Sequence, residues 1–281
     1  MRLEDLKNQL EQHIERQFSA QNVEFSNYQS TDPFPHTVVD DFLPSDVIEQ
    51  VLAEFPDAGS SAWASHFQNI NENKRASADF FAWGPVTQKV FIYLTSAPFL
   101  KRLEALTGIE KLIPDPYFLG GGLHCLPTGG KLNVHVDFNE HPTMNLDRRI
   151  NLLIYLNKDW DAEYGGNLIL KGGEEEKVVV PQCNRTVVFS TTSQSFHGNP
   201  EPVCAPDGRD RISLALYYYT SGRPADEQVS HSTIFKLQED QMVATVAQAR
   251  QFEEGLRLIH QIVHGAMNSN QKVKKIKSIF S

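Results

Sequence analysis

The stretch Val134–Asn139, VHVDFN, places a histidine and a carboxylate two residues apart among alternating apolar positions. Side chains of a strand alternate faces with period two, so His135 and Asp137 point to one side. An imidazole and a carboxylate sharing a face are two of the three ligands that a transition-metal site needs. The third candidate is His197, 62 residues further on in STTSQSFHGNP, just after the apolar run RTVVFST. That separation lets the chain leave the site, build several strands and return. Two histidines and one carboxylate on one face of iron leave three positions open, two for a chelating co-substrate and one for O2.

A chelating keto acid with a remote carboxylate needs a cation at its far end. Arg211 begins the run RISLALYYYT, 14 residues beyond His197. A guanidinium suits a buried carboxylate because its planar fork meets both oxygens. Ser213 shares the face of Arg211 by strand parity, and Tyr155, in RINLLIYLN, offers a hydroxyl to the same group. Arg209 is the alternative anchor, and Arg211 is preferred because it opens an apolar strand.

Several elements must position these groups. Leu3, Leu6, Leu10, Ile14 and Phe18 recur at helical spacing. HTVVDDFLPSDVIEQVLAEFPD reads as a strand and then a helix, with Ser45 as N-cap and Pro56 as stop. A polar stretch through NINENKR follows, then helices around 86–94 and 97–106, the second ending at Gly108. From Phe118 to Thr220 the chain is a series of short β-rich runs separated by turns, the pattern of a sandwich or jelly roll. A last helix is expected over Glu239–His264. The fold expected is therefore α+β with a mainly β core. One domain covers 1–281, with a helical flank (1–116), a jelly-roll core (117–220) and a C-terminal helical flank (221–281).

Composition removes other classes. The chain has 281 residues, 40% hydrophobic and 22% charged, with a formal net charge of -9. That charge opposes a nucleic-acid partner, which needs a basic face. KVKKIK (272–277) is short and reads as a solvated tail. No apolar run approaches 18 residues, so no membrane partner is expected. The charged N-terminus lacks the apolar core of a secretory signal. Cys125, Cys183 and Cys204 fit no disulfide or zinc spacing, so free thiols and a cytoplasmic setting are expected.

Taken together, HVD, LIYLNKDWD, FHGNP and RISLALYYYT resemble the prolyl-4-hydroxylase-like branch of the 2-oxoglutarate/Fe(II)-dependent oxygenases. The resemblance spans about Gly120 to Thr220. It implies a double-stranded β-helix, with Fe(II) at His135, Asp137 and His197. Arg211 and Tyr155 would hold the distal carboxylate of 2-oxoglutarate. The implied reaction couples O2 and 2-oxoglutarate decarboxylation, giving succinate and CO2, to substrate hydroxylation, with ascorbate as a candidate auxiliary reductant. The oxygen-sensing relatives carry a pocket tyrosine ten residues before the first metal histidine, and Cys125 stands there in this chain.

Around the site, Asn133 shares the parity of His135 and should line the cavity. His124, Cys125, Asn139 and Arg148 are further pocket candidates. The segment 138–149 reads as a long connection that could close over a substrate. No peptide-binding module flanks the core, which favours a small polar or amino-acid-like substrate. The alternatives are a peptidyl-prolyl hydroxylase and a cupin-like metal-binding protein without 2-oxoglutarate turnover. Nothing in the sequence sets the oligomeric state.

Overall fold

Leu6, Leu10, Ile14 and Phe18, one helical turn apart, are all buried along α1 (Leu3–Ala20). The computed structural model describes residues 2–224, 227 and 230–236. After α1 come α2 (Phe25–Gln29), β1 (His36–Val39), α3 (Ser45–Glu54), β2 (Ser65–Gln68), β3 (Asn73–Ser77), α4 (Pro85–Leu94), α5 (Ala97–Thr107) and β4 (Ile113–Pro114). The core strands follow: β5 (Gly122–Leu126), β6 (Leu132–Val136), β7 (Asp147–Tyr155), β8 (Leu168–Gly172), β9 (Glu175–Val179), β10 (Thr186–Ser190), β11 (Phe196–Asn199), β12 (Arg211–Thr220) and β13 (Ile234–Phe235). Met1–Phe235 is one compact unit and Lys236–Ser281 another. The helix expected over Glu239–His264 lies outside the described residues.

The helix ends follow local chemistry. Gly108 closes α5 in the left-handed conformation (φ 70°), which a glycine adopts without penalty. The first turn of α4 is capped from a distance: the Glu54 carboxylate accepts from the Val86 and Thr87 amides at 2.8–3.0 Å. Ser45 does not cap α3 as expected. It is the first helical residue, Pro44 precedes it, and no side chain caps that end.

The strands form two antiparallel sheets, the jelly roll expected of the core. The larger runs β1-β10-β7-β12-β5-β3-β2, with β4 paired to β12, and the smaller runs β13-β6-β11-β8-β9. Parity divides β7 cleanly. Ile150, Leu152 and Ile154 face the helices in the main core, with Leu214, Leu216 and Tyr218 of β12 beside them. Asn151, Leu153 and Tyr155 face inward, where Tyr155 packs with Leu168, Leu170, Val187 and Phe189 between the sheets. Helices on one face and a second sheet on the other thus give the large sheet two buried sides, which is why β7 and β12 are so apolar.

The polar stretch through NINENKR carries no strand signal in the sequence. It is the β2–β3 hairpin, which extends the large sheet through β3–β5 pairing and also touches the small one. Glu72 bridges Leu132, and the Asn133 amide donates to the Asn71 carbonyl at 2.7 Å. Among the described residues no helix is long and apolar enough to cross a membrane.

Candidate metal centre and its cavity

His135 on β6 and His197 on β11 are direct partners across an antiparallel pair. Their rings lie 4.5 Å apart between centroids. Asp137 leaves the end of β6 on the same face, with one carboxylate oxygen 3.4 Å from His135 Nε2 and the other 3.2 Å from His197 Nε2. Among the described residues these three form the only group able to hold a metal ion, with all donor atoms within 4.8 Å of one another. Both imidazoles are oriented alike. His135 Nδ1 lies 2.9 Å from the Asn133 carbonyl and His197 Nδ1 lies 3.0 Å from the Ser195 carbonyl. A carbonyl can only accept, so each Nδ1 carries the proton and each Nε2 turns a free lone pair to the shared face. Phe235 packs on His135 and Phe189 on His197.

Asp137 is fixed from behind. Its Oδ2 accepts from Asn151 Nδ2 at 2.8 Å and pairs with Arg148 Nη2 at 2.8 Å. Burial alone would raise this carboxyl, but the Arg148 charge and the two histidines more than offset it and hold it well below the usual carboxylate range. Burial, with His197 beside it, lowers the His135 imidazole and favours the neutral, ligating form. Two imidazoles with their Nε2 atoms toward one face and an ionised carboxylate, with open space before them, suit a divalent transition metal.

That space is a cavity of about 240 Å³ between the sheets. Arg211, Ser213, His124 and Leu126 line it from the large sheet, and the triad with Leu168 and Asn199 lines it from the small one. Arg211 is buried, and among the described residues no carboxylate lies within ion-pair distance of it. Its Nη1 reaches Ser213 Oγ at 3.4 Å, and its Nε has no hydrogen-bond partner among the described residues. The Tyr155 ring lies against the guanidinium, 4.7 Å from centroid to Cζ, with its buried hydroxyl making no well-aligned hydrogen bond among the described residues. A buried guanidinium and hydroxyl left open together suit the carboxylate end of a bound acid. Arg209 is elsewhere: it pairs with Asp207 and donates to the Lys158 and Asp159 carbonyls on the outer surface.

Three pocket candidates are placed differently from expectation. Cys125 faces out of the cavity, near Asp210 (3.3 Å) and Arg75 (3.9 Å). Counting back ten residues from His135 crosses the turn at 127–131, and the inward positions on β5 are His124 and Leu126. Asn133 is buried, but its amide turns to the Ile70 carbonyl and Asn71 Oδ1 under the β2–β3 hairpin and does not line the cavity. Asn139 is also buried away from it, its Oδ1 accepting from the His231 amide at 2.8 Å. Arg148 does line the cavity, yet as part of β7 and not of a loop: the connection after β6 ends at Leu146.

Sequence reasoning missed the other lining residues. Asn151 shares the parity of Tyr155, and Tyr217 that of Arg211, so strand alternation could have named both. Phe67, Glu72 and Lys74 come from the unforeseen hairpin, and Thr233 and Phe235 from the segment ending in β13.

Residues 121–219 match the family model described as 2OG-Fe(II) oxygenase superfamily. No curated protein matches the chain. Among solved structures it is similar to a prolyl hydroxylase of Trichoplax adhaerens in complex with a hypoxia inducible factor oxygen degradation domain peptide fragment. The identity is 19%, over 73% of this chain and 91% of that one, with a TM-score of 0.53. It is similar to a prolyl 4-hydroxylase of Phytophthora capsici at 18% identity, over 98% of this chain and 83% of that one, with a TM-score of 0.51. For a prolyl-4-hydroxylase of Pseudomonas putida the values are 17%, 70%, 98% and 0.48. At such identities the first two likenesses are of fold. The matched residues hold His135, Asp137, His197 and Arg211, so the part of the chain that carries the site is the part similar to the 2OG-Fe(II) oxygenase superfamily.

Proposed function

We propose that His135, Asp137 and His197 hold Fe(II), and that Arg211, with Ser213 and Tyr155, receives the distal carboxylate of 2-oxoglutarate. The reaction is hydroxylation of an unactivated C–H bond in a small polar or amino-acid-like molecule, with release of succinate and CO2. The observation that carries this reading is Arg211, a buried cation open to the cavity that also holds the triad. A buried charge without a counter-ion is costly, so it argues for an anionic ligand at that spot.

When bound, Fe(II) chelated by the keto acid supplies the O2 chemistry. The chain's own residues do the rest. The carbonyl-braced imidazoles keep their Nε2 atoms aimed at one point. Arg148 and Asn151 engage one oxygen of Asp137 and leave the other to face the metal. Phe189, Leu153 and Leu168 keep the space between the sheets dry, which strengthens the Arg211–carboxylate attraction. The confined cavity, walled by the β2–β3 hairpin and by Thr233 and Phe235, supports a small substrate over a folded protein.

The test combines purified protein, Fe(II) and 2-oxoglutarate with a panel of small polar metabolites and of proline-containing peptides, with succinate as readout. Stimulation by a small molecule is expected. Stimulation by peptides alone would move the assignment to a peptidyl-prolyl hydroxylase. A protein that binds a divalent metal but no 2-oxoglutarate would be the cupin-like alternative.

A further inference from the structure

Among the described residues five charged side chains line the cavity: Glu72, Lys74, Asp137, Arg148 and Arg211. The site described above uses three. Asp137 and Arg148 pair with one another at the metal face, and Arg211 is open to the co-substrate. That leaves Glu72 and Lys74, which belong to the hairpin wall and pair at 3.1 Å with side chains only 15% and 16% exposed.

Their placement is set by the backbone. Arg75 of β3 pairs with Cys125 of β5, so Lys74 stands opposite Leu126, which in turn stands opposite Arg211 on β12. Arg211, Leu126 and Lys74 therefore form one row across three strands on the cavity face. Glu72 lies where the hairpin crosses to the small sheet, bridging Leu132, the residue before Asn133 and three before the metal-ligand candidate His135 on β6. Asn69 donates to the second Glu72 oxygen at 3.4 Å, and the Lys74 ammonium rests 4.9 Å from the centre of the Phe67 ring. Four aromatic side chains line the same cavity among the described residues, Phe67, Phe138, Tyr217 and Phe235.

A half-buried pair of opposite charges resists a ligand with one charge. A cation that takes Glu72 leaves Lys74 without its partner, and an anion does the reverse. A ligand with both charges can replace the pair at no net change in charge: its ammonium meets Glu72 and its carboxylate meets Lys74. Resting on the oxygenase reading above, we infer that Glu72 and Lys74 are the substrate-recognition pair, and that the substrate is a free zwitterionic amino acid whose apolar side chain lies among the cavity's aromatic residues toward the metal. A residue inside a peptide chain has neither terminal charge and gains nothing from this wall.

The full chain is loaded with Fe(II) and 2-oxoglutarate, and succinate release is measured with each of the free proteinogenic amino acids, its N-acetyl form and its carboxamide. At least one free amino acid is expected to stimulate release, and each blocked form to lose about tenfold or more in kcat/KM, the scale of one charge-assisted hydrogen bond. In Glu72→Gln the preference for the free amine over the N-acetyl form should collapse, and in Lys74→Met the preference for the carboxylate over the amide. Each preference is a ratio within one variant, so lower folded protein does not alter it. Glu72→Asp and Lys74→Arg, which keep the charges, should retain the preferences in part. No stimulation by any free amino acid, equal use of blocked forms, or preferences that survive Glu72→Gln and Lys74→Met would overturn the inference. A chain that neither binds nor consumes 2-oxoglutarate would instead overturn the oxygenase reading beneath it.

Discussion

Arg148 Nη2 lies 2.8 Å from Asp137 Oδ2, and the guanidinium rests against two aromatic rings, its Cζ 3.5 Å from the Tyr217 centroid and 4.8 Å from that of Phe138. Its Nε donates to Asn151 Oδ1 at 2.9 Å while Asn151 Nδ2 donates to the same Asp137 oxygen. The carboxylate is thus held by a closed three-residue ring whose cation is buried. Arg148→Met should weaken Fe(II) binding by about 10–100-fold, the usual cost of losing an outer partner of a metal ligand. Arg148→Lys should restore only part, because an ammonium cannot serve Asp137 and Asn151 with a planar fork. Metal titration by calorimetry reads both, and unchanged affinity in Arg148→Met would show that the ring does not position Asp137.

Arg211→Met has two expected effects of opposite sign. Affinity for 2-oxoglutarate should fall by about 2–5 kcal/mol, the cost of truncating one side of a buried ion pair. Stability without ligand should hold or rise, since the variant removes a buried cation that has no counter-ion among the described residues. Tyr155→Phe should cost less in binding, roughly 1.5–3 kcal/mol for one donor to a charged acceptor. Thermal melts with and without 2-oxoglutarate separate the two effects. An Arg209→Met variant that matched the binding loss would shift the anchor to the surface arginine.

Gly198 follows His197 where β11 crosses β6. A Cβ there would stand 2.8 Å from the carbonyl oxygens of both Leu132 and Asn133, and the second is the acceptor that orients His135. Gly198→Ala should push the two ligand strands apart and cost about 1–3 kcal/mol in stability through overpacking. It should also lower metal affinity without removing a ligand atom. A variant that binds metal like the wild type would show that the strands absorb the methyl group elsewhere.

Burial, with Lys74 and Arg211 nearby, pushes the His124 imidazole down to about 3. The unfolded chain takes up that proton near the ordinary histidine value of about 6.5. A depressed folded value means that the unfolded state binds more protons between the two values. The contribution of His124 is therefore full above about 6.5 and is lost as pH falls from there toward about 3. Urea melts across that range should show stability falling with acid, and His124→Gln should flatten the slope by up to one proton. An unchanged slope would mean that other groups carry it.

The Cys125 thiol is buried beside Asp210, and burial pushes it up to about 12. Cys204 is exposed. Iodoacetamide near neutral pH should therefore alkylate Cys204 and spare Cys125 until the chain unfolds. Peptide mass spectrometry reads the order, and early labelling of Cys125 would place it in contact with solvent.

Cys125 also shows where reading the sequence stops. Parity within one strand is dependable, so His135 and Asp137 could be set on one face from six letters. Parity does not carry across a turn such as 127–131, whose backbone resets which face comes next, and Cys125 landed on the wrong side. Asn133 obeyed its strand but lies under a hairpin whose residues, half-exposed and polar, carry no alternation to announce β2 and β3. Ser45 had the chemistry of a cap, yet the chain turns into the helix at Pro44 and spends Ser45 as its first residue. Arg148 and Arg149 looked like loop residues because charged groups are rare in buried strands. The exception is legible only once Asp137 is seen opposite Arg148.

The metal-ligand strands and the Arg211 strand lie in different sheets, and facing sheets pack about 10 Å apart. A keto acid held as proposed, chelated at one sheet with its far carboxylate at the other, would make the fold a calliper whose jaws are β6–β11 and β12. Between them stand Leu153 of β7, beside β12, and Leu168 of β8, beside β11, and the bulk of these two side chains would set the opening. A diacid one carbon shorter would reach one jaw and miss the other. Discrimination among keto acids would then be a property of packing in the middle of the protein, adjustable by a methylene at a position that touches neither the iron nor the guanidinium.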